Sequence, residues 1–513
     1  MTIRRALVAV AIAAVAVHLL SLGGGFVGDD GQIIAVNPLV HGWSGAGLQA
    51  FKNPYWPPAF GGALYRPLAI VTYTLDWHLS GGSASWFHAV NLLWNAGASV
   101  MVGLLAASWV AGDPAIKARA ALAAGLVFAV HPVHVEAVAN IVGRAELMAT
   151  FFTLLAVYVA VEHGNWWLSA VVWLLGLFSK ENAVVAPALI GAAWLAGVGA
   201  GRPTRARLAW FAASWLGAGA GYAVLRHHAL GSYAPLWTPA PVFVGLSALE
   251  VRLTAVAALT DVVRLLLFPA VLRVDYSPAE RSAVTSMADP NFLLGCLLLV
   301  GGAALLAWAW RRNRKVEALG LAWVGIAFLP VANLVFPIGV LVAERTLYLP
   351  SAGLALVVGA LMARAPARLG YGLGFAAVVA ALATRAVLRI PVWHDNLTLA
   401  QSVRRDSPNS YQGHMDAAGI LLERGRPDLS LTAAGRAIEV YPLDPRPYLI
   451  AAHAAMRLGR WASADSLLRA ADRRCRPCGG VYSAEVAEAI SLGDSTSADS
   501  LAAHVRRLAG SGP

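Results

Sequence analysis

Long apolar stretches separated by short polar segments recur along most of the chain. Eleven of them approach the length of about 20 residues that a helix needs to cross a bilayer. Several, notably the third and the fifth, are shorter than a full span, so we expect their ends to lie in protein or in a water-filled cavity. The predicted membrane helices are 6–22, 86–110, 120–130, 147–161, 166–178, 183–198, 208–225, 292–310, 318–336, 351–362 and 369–384.

Composition agrees with a protein that crosses the membrane many times. Hydrophobic residues make up 58% of the 513 residues, charged residues only 13%, and the mean hydropathy is +0.62. A soluble domain carries about 25% charged residues. The net charge of +11 comes from basic residues beside the apolar stretches. We therefore interpret the charge as a signal for membrane orientation, and expect no nucleic-acid partner.

The basic clusters predict which side of the membrane each loop faces. Arg4 and Arg5 place the N-terminus in the cytoplasm, and KAR, GRPTRAR, RRNRK and ARAPAR follow the second, sixth, eighth and tenth predicted helices. The outer side then receives five loops and everything beyond Ile390. The loops are 23–85, 131–146, the short SKEN segment 179–182, 226–291 and 337–350. The alternative interpretation of the first predicted helix is a secretory signal peptide that is cleaved.

The tail, residues 391–513, contains an internal period. Gly425, Gly459 and Gly493 are each 34 residues apart, and the tetrapeptide ADSL recurs with the same spacing. Thirty-four residues is the tetratricopeptide period, in which each unit is a pair of antiparallel helices. About three such units predict a minimal α-solenoid outside the membrane, with a surface suited to peptides. An irregular helical tail is the alternative.

Two adjacent carboxylates follow the first predicted helix in the sequence GGGFVGDDGQ. A single aspartate there would most simply be a solvated helix end. Paired carboxylates share an electric field that raises one of the two pKa values, which suits a general base. We therefore expect Asp29 and Asp30 to be catalytic.

The second outer loop concentrates ionisable groups between two apolar helices. The sequence HPVHVEAVANIVGRAE contains His131, His134, Glu136, Arg144 and Glu146. So many ionisable groups at membrane depth indicate a functional cavity. The two histidines share a helix face, but a metal site would need a third ligand such as Glu136. Structural hydrogen bonding is the simpler interpretation; no cofactor is certain, and a divalent cation such as Mg²⁺ or Mn²⁺ is left open.

Three basic residues fall on the predicted outer side. Lys180 stands beside Glu181, either as an ion pair that holds a turn or as a group that faces an anion. Arg345 follows Glu344 at an outer helix end, and Arg226 ends another helix. Arginine suits bidentate phosphate recognition, so we predict that the three cations bind a phosphate group.

The three cysteines indicate little about the function of the protein. Cys296 lies within an apolar run and is expected to pack as a small hydrophobic residue. Cys475 and Cys478 form a lone CRPC, which is too small for a zinc site. The pair is equally compatible with a local disulfide and with two free thiols.

Several motifs in order resemble one known family. They are DDGQIIAVNP, YRPLAIVTYTLDW, FHAVNLLWN, FAVHPVHVEAVANIVGRAELMATFFTLLAVY, FSKEN and AERTLYLPSAG. Followed by tetratricopeptide repeats, they resemble the transmembrane O-mannosyltransferases that act on cadherins, and their bacterial relatives, within the GT-C glycosyltransferases. The resemblance implies an all-α GT-C membrane domain, 1–390, and an extracytoplasmic repeat domain, 391–513.

The resemblance also implies an activity. Such enzymes move a sugar, here expected to be mannose, from a polyprenyl-phosphate donor to a hydroxyl of a protein acceptor on the outer face. Asp29 and Asp30 match the family's acidic pair, Asp29 being favoured as the base, and Glu136 falls where a further acidic residue is common, so it too is expected to be catalytic. The repeats would engage the acceptor, and the bacterial likeness implies an inner membrane. The alternatives are a non-catalytic scaffold and a GT-C enzyme acting on a glycolipid or polysaccharide.

Overall fold

The computed structural model describes most of the chain and divides it into two compact units. The first consists of Met1–Leu272 and Ala283–Thr398, the second of Arg273–Ser282 and Leu399–Pro513. Helices and turns, with no strand, make up the described residues. Those residues are 1–43, 46–57, 64–232, 240–276, 279–366 and 368–474.

Seventeen helices lie in the described part of the first unit, and α18 (Asn396–Asp406) begins in it. They are α1 (Ile3–His18), α2 (Pro38–His41), α3 (Ala46–Ala50), α4 (Pro67–Ser80), α5 (Ala84–Trp109), α6 (Pro114–Ala129), α7 (Val135–Ala139), α8 (Arg144–His163), α9 (Trp166–Ser179), α10 (Ala186–Ala196), α11 (Arg205–Leu230), α12 (Ala248–Ala257), α13 (Leu259–Leu267), α14 (Pro290–Arg311), α15 (Lys315–Phe328), α16 (Tyr348–Arg364) and α17 (Leu369–Arg389).

Length decides how many of these helices can cross a membrane by themselves. Each of the eleven predicted segments overlaps a helix, although 318–336 extends eight residues beyond the end of α15 at Phe328. Only seven helices in the described chain are long and apolar enough for a span. The helix α6 and the segment Pro132–Ala139 are bent by 51° relative to each other. If the two are counted as one span, the described chain has eight candidate spans. The helices α9 and α15 have 14 residues each, about 21 Å at 1.5 Å per residue. The other predicted membrane crossings remain predictions.

Polar caps fix where several helices begin. Asp113 accepts a hydrogen bond from the backbone N–H of Ile116 (2.8 Å) ahead of Pro114. A short polar side chain before the first turn satisfies an otherwise unpaired N–H, and proline suits that turn. The cap therefore starts α6 at Pro114, six residues before the apolar run predicted from Ala120.

Glycines allow α15 and α16 to pack backbone against backbone. A Cβ atom placed on Gly320 of α15 would lie 2.5 Å from the carbonyl oxygen of Gly353 in α16. Small residues at such crossings are typical of membrane helices, where close packing replaces the hydrophobic effect. Farther along α15, a Cβ on Gly325 would meet no atom within 4 Å.

We expect Gly320→Val to separate α15 from α16 and to lower the thermal unfolding midpoint of the purified protein in detergent. Gly325→Val makes the same change in the same helix where there is room, so it should leave the midpoint near that of the wild type. Equal midpoints for the two variants would contradict close packing at Gly320.

The second unit contains two helix pairs related by the predicted spacing. They are α19 (Tyr411–Glu423) with α20 (Pro427–Val440), and α21 (Arg446–Arg457) with α22 (Trp461–Asp472). Gly425 and Gly459, 34 residues apart, have φ angles of +69° and +68° in the turn within each pair. Glycine adopts this left-handed conformation without a steric penalty. The third predicted repeat, with Gly493, Cys475 and Cys478, lies outside the described residues, so the solenoid remains a prediction.

A loop segment from between two membrane helices belongs to the second unit. Asp275 accepts hydrogen bonds from Ser407 Oγ (2.7 Å, to its backbone oxygen) and Ser410 Oγ (2.5 Å, to Oδ2). Glu280 accepts one from the backbone N–H of Asn409 (2.9 Å). Since Ser410 also caps α19, the segment Arg273–Ser282 holds the start of the first repeat.

Replacing Asp275 by Ala should loosen the start of α19 in the full chain, because the Ser410 hydroxyl loses its acceptor. We expect faster amide hydrogen exchange in residues 407–423. Asp428→Ala, at an exposed position of α20, is the matched control and should leave that exchange unchanged. Identical exchange in all three proteins would mean that the loop segment does not stabilise the repeats.

Candidate active site

The two aspartates that follow α1 lie in opposite environments. Gly28 has a φ of +57°, and its N–H donates to Asn396 Oδ1 (2.8 Å), which fixes the turn ahead of the pair. The side chain of Asp29 is exposed, whereas Asp30 is completely buried. Only Asp29 is therefore accessible to a substrate in this conformation.

Asp30 connects the first two predicted outer loops. Its carboxylate accepts hydrogen bonds from the backbone N–H groups of Val27 (3.0 Å), Ile141 (3.3 Å) and Val142 (2.8 Å). Burial raises the pKa of the Asp30 carboxyl to about 7; the three N–H donors oppose the rise and the charge of Asp29 adds to it. These hydrogen bonds connect the turn before α2 to the loop between α7 and α8.

The block HPVHVEAVANIVGRAE folds into short turns around α7. Its two histidines are buried and partnered: His131 Nε2 lies 3.1 Å from the carbonyl oxygen of Leu266, and His134 Nε2 lies 2.7 Å from Ser351 Oγ. In the part of the chain that the structure describes, no group of three or more His, Cys, Asp or Glu side chains is arranged to hold a metal ion.

Glu136 holds Arg345 at two points. One carboxylate oxygen accepts the backbone N–H of Arg345 (2.8 Å), and the other pairs with its guanidinium group at Nη1. Glu136 is buried with 2% of its side chain exposed, while 34% of the Arg345 side chain is exposed. The buried carboxylate thus fixes a cation that remains accessible.

Glu146 holds Lys180 in the same manner. One oxygen pairs with Lys180 Nζ, and the other accepts a hydrogen bond from Asn182 Nδ2 (3.0 Å). Glu146 is 1% exposed and Lys180 is 11% exposed. The partner of Lys180 is therefore Glu146 on α8 and not its sequence neighbour Glu181.

Glu181 instead pairs with Arg66, which the sequence analysis did not select. Both Nε and Nη2 of Arg66 donate to one oxygen of Glu181, at 3.2 and 3.1 Å. The guanidinium group also lies over the ring of Tyr55, 5.1 Å from its centroid. The available signal was the arginine of YRPL beside a loop rich in proline and tryptophan.

The three ion pairs form one cluster. Burial lowers the pKa of Lys180, Glu146 raises it, and the positive charges of Arg66 and Arg345 lower it further. Glu136 stabilises the charge of Arg345 most, and Asp29 and Glu146 add smaller contributions. Four of the cations and carboxylates named from the sequence, together with Asp29, are thus close enough to interact; the four are Lys180, Arg345, Glu136 and Glu146.

The other predicted residues take supporting positions. Arg144 is fully buried, pairs with Asp76, and donates to Asn91 Oδ1 (2.8 Å) and to the carbonyl of Phe87 (3.0 Å). Glu344 is buried ahead of α16. Arg226 donates to the carbonyl oxygen of Ser232 (3.3 Å). Arg144 therefore joins α8 to α4 and α5.

The fold and the site define an integral membrane protein whose apolar helices carry a cluster of paired cations and carboxylates at their ends. Known proteins with related sequences are protein O-mannosyl-transferases. The chain is 29% identical over 346 residues to protein O-mannosyl-transferase F38B6.6 of Caenorhabditis elegans, covering 66% of this chain and 49% of that protein. It is 26% identical over 463 residues to protein O-mannosyl-transferase TMTC4 of Homo sapiens, covering 79% and 62%.

A shorter stretch is more similar. Over 189 residues the chain is 36% identical to protein O-mannosyl-transferase Tmtc2 of Drosophila melanogaster, which covers 33% of this chain and 19% of that protein. The chain spans about half to three-fifths of the length of the first two relatives. No protein-family model matches the chain, and no solved structure matches it.

We expect Asp30→Asn to destabilise the protein. The amide group replaces one acceptor oxygen by an NH₂ donor, so at least one of the three backbone N–H groups loses its partner, at about 1–3 kcal/mol. The measurement is the thermal unfolding midpoint in detergent, with Asp29→Asn as the control at the exposed neighbour.

The raised pKa of Asp30 also gives a pH dependence. An unfolded aspartate loses its proton near pH 4, whereas the folded carboxyl retains it up to about pH 7, so the folded state binds more protons within that window. Stability should therefore fall as pH rises from about 4 to about 7, and Asp30→Asn should remove this slope. The same profile in wild type and Asp30→Asn would mean that the N–H donors outweigh burial.

Proposed function

We propose that the chain is an integral membrane glycosyltransferase that moves mannose from a polyprenyl-phosphate donor to a hydroxyl group of a protein acceptor on the outer face of the membrane. The names of the relatives support mannose transfer to protein. The lipid-linked donor suits a site built at the ends of apolar helices, because such a substrate carries its polar group at the membrane surface.

The observation that carries the proposal is the position of Asp29. It is an exposed carboxylate within electrostatic reach of Arg345, whose charge it stabilises, and Arg345 in turn acts on Lys180. A general base and a set of phosphate-binding cations are the two components that transfer from a sugar phosphate requires.

The reaction is a displacement at the sugar. Asp29 removes the proton of the acceptor hydroxyl, whose oxygen forms the new bond to C1 while the bond between C1 and the phosphate oxygen breaks. The electron pair of that bond leaves with the polyprenyl phosphate, whose negative charge increases. Lys180 and Arg345 stabilise this charge, with Arg226 as a third candidate cation, and the proton on Asp29 passes to water.

The buried carboxylates act indirectly in this mechanism. Glu136 orients Arg345 and Glu146 orients Lys180, so each cation is held before the substrate binds. Because a fixed charge needs no reorganisation during the reaction, it stabilises a developing charge more effectively. His131, His134, Arg144 and Glu344 support the helix ends around these pairs. In the reaction as proposed, protein cations stabilise the departing phosphate.

The repeats are proposed to engage the acceptor protein. The loop segment Arg273–Ser282 is part of the same compact unit as the repeats, so both lie on one side of the membrane. By the distribution of basic residues that side is the outer one, which leaves the N-terminus in the cytoplasm.

Two alternatives predict different results. A non-catalytic scaffold would use its repeats to recruit partners and would transfer no sugar. A related enzyme could instead act on a glycolipid or polysaccharide. An exposed carboxylate, Asp29, whose charge acts on the accessible Arg345 favours catalysis, because a scaffold needs neither group.

We expect Asp29→Asn to lower mannose transfer by roughly 100-fold or more, the range for loss of a general base. Asparagine has nearly the same shape and still forms hydrogen bonds, but it cannot accept the proton. The assay uses purified protein in lipid nanodiscs with polyprenyl-phosphate mannose and membrane proteins from the source cell, and mass spectrometry detects added hexose.

Asp113→Asn is the matched control, because asparagine caps a helix as well as aspartate does and Asp113 caps α6. Full transfer by Asp29→Asn would rule out the proposed base. No hexose on any protein from the wild type would favour the scaffold, and hexose on lipid or polysaccharide alone would favour the second alternative.

A further inference from the structure

Arg66 is held in a fixed orientation near the proposed phosphate site. It directly precedes Pro67, the first residue of α4. Glu181 accepts two of its N–H groups along one edge, and Tyr55 covers a face of the guanidinium group. A guanidinium group fixed by a carboxylate and an aromatic ring loses little freedom when it binds a further partner.

Donors remain available on this group. Glu181 uses Nε and Nη2, and among the described residues Nη1 of Arg66 has no hydrogen-bond acceptor. The side chain is 14% exposed, comparable to the 11% of Lys180. Arg66 can therefore donate to a bound anion without leaving Glu181.

Arg66 lies close to Lys180. Its partner Glu181 directly follows Lys180 in the chain, and the positive charges of Arg66 and Arg345 both act on Lys180. Both cations repel the Lys180 ammonium group, and the three buried or half-buried glutamates only partly offset this repulsion because each is committed to its own cation. An anion with several oxygens relieves the repulsion and accepts from all three.

We propose that Arg66 binds the phosphate group of the lipid-linked donor together with Lys180 and Arg345, and that Glu181 is the positioning residue for Arg66. This inference rests on the proposed function for the identity of the lipid. The recognised chemistry is a phosphate ester at the membrane surface, and the planar guanidinium fork suits two of its oxygens.

The test measures binding in the absence of sugar transfer. Full-length protein in phosphatidylcholine nanodiscs is titrated with radiolabelled polyprenyl monophosphate, and in parallel with the corresponding polyprenol, which lacks the phosphate. Loss of a charge-assisted hydrogen bond corresponds to a roughly 10-fold to 100-fold weaker Kd. We expect Arg66→Gln to weaken polyprenyl monophosphate by this amount and to leave polyprenol unchanged.

Three further variants separate binding from folding. Arg364→Gln removes a comparable Arg–Glu pair elsewhere, with Glu317, and should not change the Kd. Glu181→Gln keeps an acceptor for Arg66, so it should weaken binding less than Arg66→Gln does. Arg66→Lys keeps the charge but loses the fork, and should weaken binding even if Arg66→Gln fails to fold.

The sources of phosphate are distinguished by competition. Excess inorganic phosphate or nanodiscs containing phosphatidylglycerol should displace polyprenyl monophosphate poorly; strong displacement by either would overturn the assignment to the donor. Unchanged Kd in Arg66→Gln and Arg66→Lys, equal losses for polyprenol, or equal losses in Glu181→Gln would also overturn it.

Failure of the inference differs from failure of the proposed function. Mannose transfer that depends on Asp29 but has the same KM and kcat in Arg66→Lys would leave the function intact and remove Arg66. Binding of polyprenyl monophosphate that depends on Arg66, without any transfer to protein, would support the phosphate site and contradict the protein mannosyltransferase.

Discussion

The arrangement of the site depends on the free-energy cost of placing charges among apolar helices. Glu136 and Glu146 are almost completely buried, and a buried carboxylate without a cation is strongly destabilising. Each therefore requires a partner from a distant segment, Arg345 and Lys180 respectively. The two pairs thereby join α7 to the start of α16 and α8 to the end of α9, and the cations are oriented before any substrate arrives.

The same constraint explains why the adjacent aspartates lie in different environments. Asp30 is buried and is satisfied by three backbone N–H donors, two of them from the loop between α7 and α8. It thus ties the segment between α1 and α2 to the block that contains Glu136. Asp29 stays exposed on the segment so anchored, where its charge reaches Arg345. A structural carboxylate positions the segment that carries the proposed base.

Several site residues could be recognised from sequence because their residue type is unusual in its surroundings. Lys180, Glu136, Glu146 and Arg345 are ionisable groups beside apolar stretches, which is a local property. Their partners were not local: Lys180 was considered with Glu181, one residue away, but it pairs with Glu146, 34 residues away. The signal for Arg66 was weaker, because a single arginine beside a loop rich in aromatic residues and proline is not unusual in composition.

The sequence by itself determined the helical, membrane-spanning character of the first unit and the 34-residue spacing of Gly425 and Gly459, since hydropathy and turn preference act over a few residues. Tertiary structure alone decided which aspartate is buried and which carboxylate holds which cation. The ion pairs join residues that are far apart in the sequence: 115 residues separate Arg66 from Glu181, and 209 separate Glu136 from Arg345. Such pairs form because packing brings desolvated charges from distant segments together. A local sequence pattern cannot predict which segments will pack against each other.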